Sequence, residues 1–270
     1  MSHSRFLPTP ATEHGFTLIE LLVSMALAMV VMLALFTILE FSTTQEARIS
    51  ERVQADRIGR RTMTKVIDEL HSSCTGFGAT AIQAPGTTPT APLEKIGPLN
   101  LWFISAYGSS SSASAVQTKV YEHDIHWAST GKSNTGETLG TLTDYAFEST
   151  AGSGPGTKSG KWEFPTLEVA HAQAHVLAQN VIPPTISSAN TIFQYYKLSS
   201  SNGEFTALSS GEVSTAASAN EVAKVAINFT QAPEAGSTKL GGRTVPFNDA
   251  VVLRFNATET GSEAEDEPCT

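Results

Sequence analysis

Apolar and polar positions divide this chain into three successive stretches of different pattern. From Leu21 to Leu39 the residues are apolar except for Ser24 and Thr37. At 1.5 Å per residue this stretch makes about 28 Å of helix, which matches a bilayer core of about 30 Å. The helix of a soluble core keeps a polar face and this stretch has none, so the pattern predicts a membrane-spanning helix.

The second stretch, from Glu40 to about His71, is free of proline and rich in residues that favour helices. Its apolar residues recur at a broken spacing of three to four positions, which is typical of an amphipathic helix. They are Ile49, Val53, Met63, Val66, Ile67 and Leu70. The sequence therefore predicts one continuous helix from Phe16 to about His71, amphipathic after Glu40, with Gly59 as a point of weakness.

The third stretch begins with a loop-like run, SSCTGFGATAIQAPGTTPTAP, and then becomes strand-like. Aromatic and β-branched residues alternate in part with polar ones in LNLWFISAY, KVYEHDIHW, TIFQYYKL, EVAKVAINFTQ and FNDAVVLRFNA. Spacers rich in Ser, Gly and Ala separate these segments. The predicted fold class is α+β, with a long N-terminal transmembrane and amphipathic helix packed on an antiparallel β-sheet head.

The charge balance excludes one class of partner. The chain has 26 acidic and 17 basic residues, a formal net charge of -9. Most of the acidic excess lies after residue 71, where there are 18 acidic and 10 basic residues. Nucleic-acid binding depends on clustered Lys and Arg, so no direct nucleic-acid partner is expected.

The two cysteines, Cys74 and Cys269, are too few for a disulfide framework and form no CxxC pair. They could form one disulfide in an oxidising compartment. Cys269, however, lies in the tail GSEAEDEPCT, whose charge and lack of apolar side chains predict disorder. The tail argues against this pairing, which stays an open alternative.

The segment GFTLIELLVSMALAMVVMLAL resembles the cleavage and methylation segment of type IV prepilins and type II secretion pseudopilins. That family has a Gly at the cut site followed by Phe-Thr-Leu-Ile-Glu-Leu-Leu-Val, and Gly15 to Val23 match at every position. No small-residue signal-peptidase site follows Leu39. The resemblance implies cleavage between Gly15 and Phe16 by a membrane aspartic prepilin peptidase, then N-methylation of Phe16.

The resemblance also implies a topology and a set of partners. The protein would cross the inner membrane once, with its N-terminus cytoplasmic, its head periplasmic, and other pilins or pseudopilins packed against its N-terminal helix. Family leaders are usually richer in Lys and Arg than this one, which offers Arg5 beside His3 and His14. The predicted segments are a leader at 1–15, a transmembrane half-helix at 16–41, an amphipathic half-helix at 42–71, a β-rich head at 72–258 and an acidic disordered tail at 259–270.

Glu20 is the single charged residue between Gly15 and Leu39. A charged side chain at the centre of a bilayer costs about 2.5 to 3.5 kcal/mol, so an acid in such a helix points to a function and a partner. Glu20 lies about 6 Å along the helix from Phe16, near the headgroups. In an assembly it could pair with the terminal amine of a neighbouring subunit and set the axial register of the helices.

The distal segments VLAQNVIPPTISSANTIFQYYKL, ANEVAKVAINFTQ and DAVVLRFNA are similar to the C-terminal region of the PulJ/PilW-like branch of minor subunits. That branch has a LAxNV stretch, an aromatic strand ending in Tyr-Tyr or Tyr-Asp, a VxxVxIxF strand and a closing strand like xVxLRN. The residues at those places are Val181, Tyr195, Tyr196, Val225, Ile227, Val252, Leu253 and Arg254. The similarity favours a J-type minor subunit over a major pilin.

Candidate metal ligands are few. In YEHDIHW, strand alternation places Glu122, Asp124 and His126 on one face and His123 on the other. All are metal-capable residue types, but a polar, solvated strand face is the favoured interpretation. The sequence therefore predicts no metal site and no cofactor.

Other motifs add no chemistry. His171 and His175 have the i,i+4 spacing of zinc ligands on a helix but lack a third ligand and an HExxH glutamate. There is no GxSxG elbow, P-loop or GxGxxG motif. Core packing, rather than a binding platform, is the favoured role of the aromatic residues Phe193, Tyr195, Tyr196 and Phe229.

These patterns predict a structural minor pilin or pseudopilin that primes or caps a type II secretion pseudopilus and catalyses no reaction. Secreted cargo is a further candidate partner. One alternative is a minor pilin of a type IV pilus or a DNA-uptake system. Another is a membrane-tethered periplasmic enzyme or binding module, which hydrolase or lectin activity in a head lacking residues 1–41 would favour.

Overall fold

The computed structural model describes residues 17–73, 93–105, 120–133, 136–149, 173–186, 189–199, 202–209, 221–233 and 244–253, with three single positions between them. They form one long helix and an antiparallel β-sheet, which confirms the predicted α+β class. The chain divides into two compact units, Met1–Ile49 and Ser50–Thr270, which are described in turn.

The helix, α1, runs without interruption from Leu18 to His71. Thr17 caps its first turn, because the Thr17 Oγ1 and carbonyl accept hydrogen bonds from the Glu20 amide at 3.4 and 3.1 Å. Thr17 and Glu20 have the Ser/Thr-x-x-Glu spacing of a capping box. The helix ends where the sequence predicts, and its predicted first residue, Phe16, lies outside the described residues.

From Leu21 to Leu39, in the first unit, α1 exposes apolar side chains all around, interrupted only by Ser24 and Thr37. An 18-residue window of α1 has a mean hydropathy of 2.7, and none of it is buried in the structure. The two hydroxyl side chains in the apolar run are satisfied within the helix. Ser24 Oγ donates to the Leu21 carbonyl at 2.9 Å, and Thr37 Oγ1 donates to the Ala34 carbonyl at 2.8 Å. The segment therefore offers a bilayer no unsatisfied hydroxyl group.

In the second unit, the C-terminal part of α1 buries one face against the sheet. The buried residues recur every three to four positions: Ala55, Gly59, Thr62, Met63, Val66, Glu69 and Leu70. Ile49 and Val53, which belong to the same sequence pattern, remain exposed. The helix passes Gly59 without a break, and a local softening there stays a prediction.

Eleven strands lie within the described residues. They are β1 (Leu93–Ile96), β2 (Asn100–Ser105), β3 (Tyr121–Lys132), β4 (Thr138–Glu148), β5 (Gln173–Ile182), β6 (Thr185–Ile186), β7 (Ala189–Asn190), β8 (Phe193–Leu198), β9 (Phe205–Ala207), β10 (Val222–Gln231) and β11 (Val245–Val252). Five of them, β2, β3, β8, β10 and β11, confirm segments predicted from the sequence. β4 and β5 are long strands that the sequence pattern missed.

Nine strands form one antiparallel sheet in the order β1-β2-β3-β4-β5-β10-β8-β9, with β11 also paired to β10. Strands β6 and β7 make a separate short ladder. Apolar residues of α1 and the sheet share one buried core that includes Leu70, Phe103, Ile125, Tyr195 and Ile227. The predicted core role is confirmed for Phe193, Tyr195 and Phe229.

Candidate functional site

The sequence places the first candidate site at the start of α1. Glu20 lies in the first helical turn, where a carboxylate is favoured by the helix dipole and its side chain is exposed. Large apolar side chains surround it, and Leu18 and Ile19 are 82% and 71% exposed. Gly15 and Phe16 lie outside the described residues, so cleavage and methylation stay predictions, as does the register role of Glu20.

A second candidate site lies in the other unit, where α1, β3 and β4 meet. Glu69 near the end of α1, His123 on β3 and Asp144 on β4 are each at most 4% exposed. His123 Nδ1 and Asp144 Oδ1 are 2.9 Å apart. One nitrogen or oxygen atom from each of the three residues lies within 4.8 Å of the others. We call these three residues the buried polar cluster.

Lys65 brings a positive charge to the edge of this cluster. Its Nζ lies 3.5 Å from Glu69 Oε1 and 3.7 Å from Asp144 Oδ2, and its side chain is 35% exposed. Burial raises the pKa of Glu69 to about 7, and the charge of Asp144 adds to this rise, while His123 and Lys65 oppose it. The cluster thus holds two carboxyl groups and an imidazole in surroundings that disfavour an isolated charge, with the Lys65 ammonium group at its edge.

The predicted polar face of β3 is not solvated. Glu122 and Asp124 are 0% and 7% exposed, so the interpretation of this face as a solvated one is wrong. Large side chains directly opposite on β2 and β4 flank these carboxyl groups on the same face of the sheet: Ile104 and Phe147 beside Glu122, and Trp102 and Tyr145 beside Asp124. Burial raises the pKa of Asp124 to about 7, with a further rise from Asp144 and an opposing effect of Lys95. Burial lowers the pKa of His126.

The metal-capable group among the described residues is the buried polar cluster rather than Glu122, Asp124 and His126. It uses His123, the histidine on the other face of β3. His175 lies on strand β5, so the helical zinc pair weighed from the sequence is wrong, and His171 lies outside the described residues.

The start of the chain is similar to a known protein family motif. Residues 11–36 match the prokaryotic N-terminal methylation motif. This range contains the predicted cut site, Glu20 and all of the apolar run except its last three residues. No curated protein matches the chain. Together with the apolar helix, the motif supports a pilin-like or pseudopilin subunit that is anchored in a membrane, assembles with other pilin subunits and is processed by prepilin peptidase.

Proposed function

We propose that this chain is a structural minor subunit of the J type that is cut between Gly15 and Phe16, methylated on Phe16 and assembled into a type II secretion pseudopilus. The observation that carries the proposal is the coincidence of the methylation motif with the apolar start of α1. A β-rich head follows the helix in the same chain. The head would lie in the periplasm and contact other minor subunits or cargo.

Helix packing in the inner membrane would supply the assembly contacts. Between helices in lipid, association depends on close packing and on polar contacts, because lipid tails are as apolar as the side chains they replace. The apolar part of α1 is exposed around its circumference and can accept neighbours on several sides. Side-chain packing alone would leave the axial position of each helix weakly specified.

Glu20 would specify that axial position. Two opposite charges 4 Å apart attract by about 4 kcal/mol at an effective dielectric constant of 20, and desolvation offsets much of this gain. A shift of one helix by one turn would move its charge about 5.4 Å along the axis, away from its partner. Both charges would then be unpaired in an apolar bundle. The penalty for misalignment, more than the net attraction, would therefore set the register.

The test uses the full chain in its own host and two matched variants. Mass spectrometry of the mature chain should find a methylated N-terminal Phe16, and crosslinking in cells should place its helix beside other pseudopilins. Glu20→Ala should still be cleaved but should enter the filament at least tenfold less. Glu40→Ala, an exposed acid on the same helix, should assemble normally.

Three results would contradict the proposal. An N-terminus at Met1 would exclude processing, and normal assembly of Glu20→Ala would exclude the register role. Incorporation into a type IV pilus instead of a secretion pseudopilus would overturn the assignment to secretion but leave the subunit class intact.

A further inference from the structure

The buried polar cluster has unused binding capacity. Glu69 Oε2 and His123 Nε2 are buried and make no hydrogen bond to any residue that the structure describes. A buried polar atom without a partner costs about 1 to 3 kcal/mol, so native proteins usually provide one. Here two such atoms belong to side chains of the same cluster, and both side chains can ligate a metal ion.

We propose that Glu69, His123 and Asp144 bind one divalent metal ion of the Zn²⁺ class. One imidazole and two carboxylates suit Zn²⁺, which accepts four ligands and would leave one position for water. Ca²⁺ needs six or more oxygen ligands, and Mg²⁺ keeps several waters, so a cluster this buried and this small fits neither. With neutral imidazole, the two carboxylates also balance the charge of the ion.

The distances between the candidate ligand atoms are close to those of a tetrahedral Zn²⁺ site. Bonds of about 2.1 Å in a tetrahedral site place the ligand atoms about 3.4 Å apart. The cluster atoms lie within 4.8 Å of one another, so they would approach by about 1.4 Å at most. Glu69 reaches the cluster from a helix and the other two residues reach it from adjacent strands, so rotations of these side chains can supply the movement.

Lys65 would compete with the ion. Its Nζ distances of 3.5 and 3.7 Å exceed the usual length of a charged hydrogen bond. The side chain is partly exposed, so the ammonium group can swing into solvent on its flexible stem. The metal ion and the Lys65 ammonium group would thus be alternative partners of the same two carboxylates, Glu69 and Asp144. Binding would tie the last turns of α1 to β3 and β4 and stabilise the folded head.

The experiment uses the full chain in detergent micelles, stripped of metal with a chelator. Co²⁺ is titrated while its visible absorption is followed, and Zn²⁺ then displaces it. We expect saturation at one ion per chain. Lys65→Met should bind at least tenfold more tightly, because it removes the competing cation. His123→Gln should bind at least tenfold more weakly, whereas the control His126→Gln, on the opposite face of the same strand, should bind within threefold of the parent chain.

Three outcomes would overturn the proposal. They are the lack of saturable Co²⁺ or Zn²⁺ binding by the parent chain, equal or weaker binding by Lys65→Met, and loss of binding in His126→Gln with retention in His123→Gln. The first two would identify the cluster as an ion-pair network alone. If His123→Gln does not fold, the Lys65→Met comparison still decides the question.

Discussion

Gly59 on α1 lies directly against the Phe247 ring of β11, and substitution by alanine tests that contact. A Cβ built on Gly59 would lie 2.6 Å from Phe247 Cδ2 and closer still to Cε2 and Cζ of the same ring. Phe247 on β11 stacks on Phe229 of β10, with ring centroids 5.4 Å apart. Phe229 is 2% exposed and blocks the Phe247 ring on one side, so this partly buried ring would have to turn toward solvent to make room.

Two opposing effects set the change in the free energy of unfolding that Gly59→Ala causes. Gly→Ala in a helix interior is favourable by about 1 kcal/mol through helix propensity. Insertion of a methyl group into a packed interior costs about 1 to 3 kcal/mol. Because the ring blocks the methyl group directly, we expect Gly59→Ala to lower the free energy of unfolding by about 1 to 2 kcal/mol.

Removal of the Phe247 ring should reverse the sign of the stability change that Gly59→Ala causes. In a Phe247→Ala background the methyl group has space, so adding Gly59→Ala should raise the free energy of unfolding by about 1 kcal/mol. The assay is urea unfolding of the full chain in micelles, followed by the fluorescence of Trp102 and Trp127 in the head. Gly131→Ala is the control, because no atom of the described residues lies within 4 Å of its added Cβ, and it should change stability by less than about 0.5 kcal/mol. A stabilising Gly59→Ala in the parent chain would refute the reasoning.

The same urea assay tests two further sites. Tyr195→Phe should cost about 1 to 3 kcal/mol, because its buried hydroxyl donates to the Gly97 carbonyl at 2.8 Å and accepts from the Gly97 amide at 3.3 Å. Tyr196→Phe is its control, since that hydroxyl makes one 3.4 Å contact, and equal losses in the two variants would contradict the assigned role. Asn180 has φ of 56° and donates from Nδ2 to the Pro233 carbonyl at 3.3 Å. Asn180→Ala should therefore cost about 1 to 2 kcal/mol and Asn180→Gly less, and the reverse order would exclude a backbone cause.

The sequence predicts α1 well because a helix of this length contains many turns, and its apolar run and its spacing of apolar residues extend over most of them. The strands β2, β3, β8, β10 and β11 are predictable for a similar reason, since each concentrates aromatic and β-branched residues. Strand β4 is not predicted, because its sequence, TLGTLTDYAFE, contains a glycine and several small polar residues. The structure explains that glycine: the Trp127 ring of β3 covers Gly140 and leaves no space for a Cβ.

The buried polar cluster could not be predicted from local pattern. Its residues lie at positions 69, 123 and 144, on a helix and two strands, and only the packing of the head brings them together. Asp144 lies on the strand that the pattern missed. Strand alternation does place His123 on the face away from Glu122 and Asp124, but it gives no sign that this face meets the end of α1.

The cap at Thr17 has a consequence for maturation. The first described hydrogen bonds of α1 run from the amides of Glu20 and Leu21 to the side chain and carbonyl of Thr17. The proposed cut at Gly15–Phe16 would therefore remove the leader without removing any of these bonds. The capped first turn would therefore be retained in the mature chain, while the peptidase would change the charge and chemistry of the chain end.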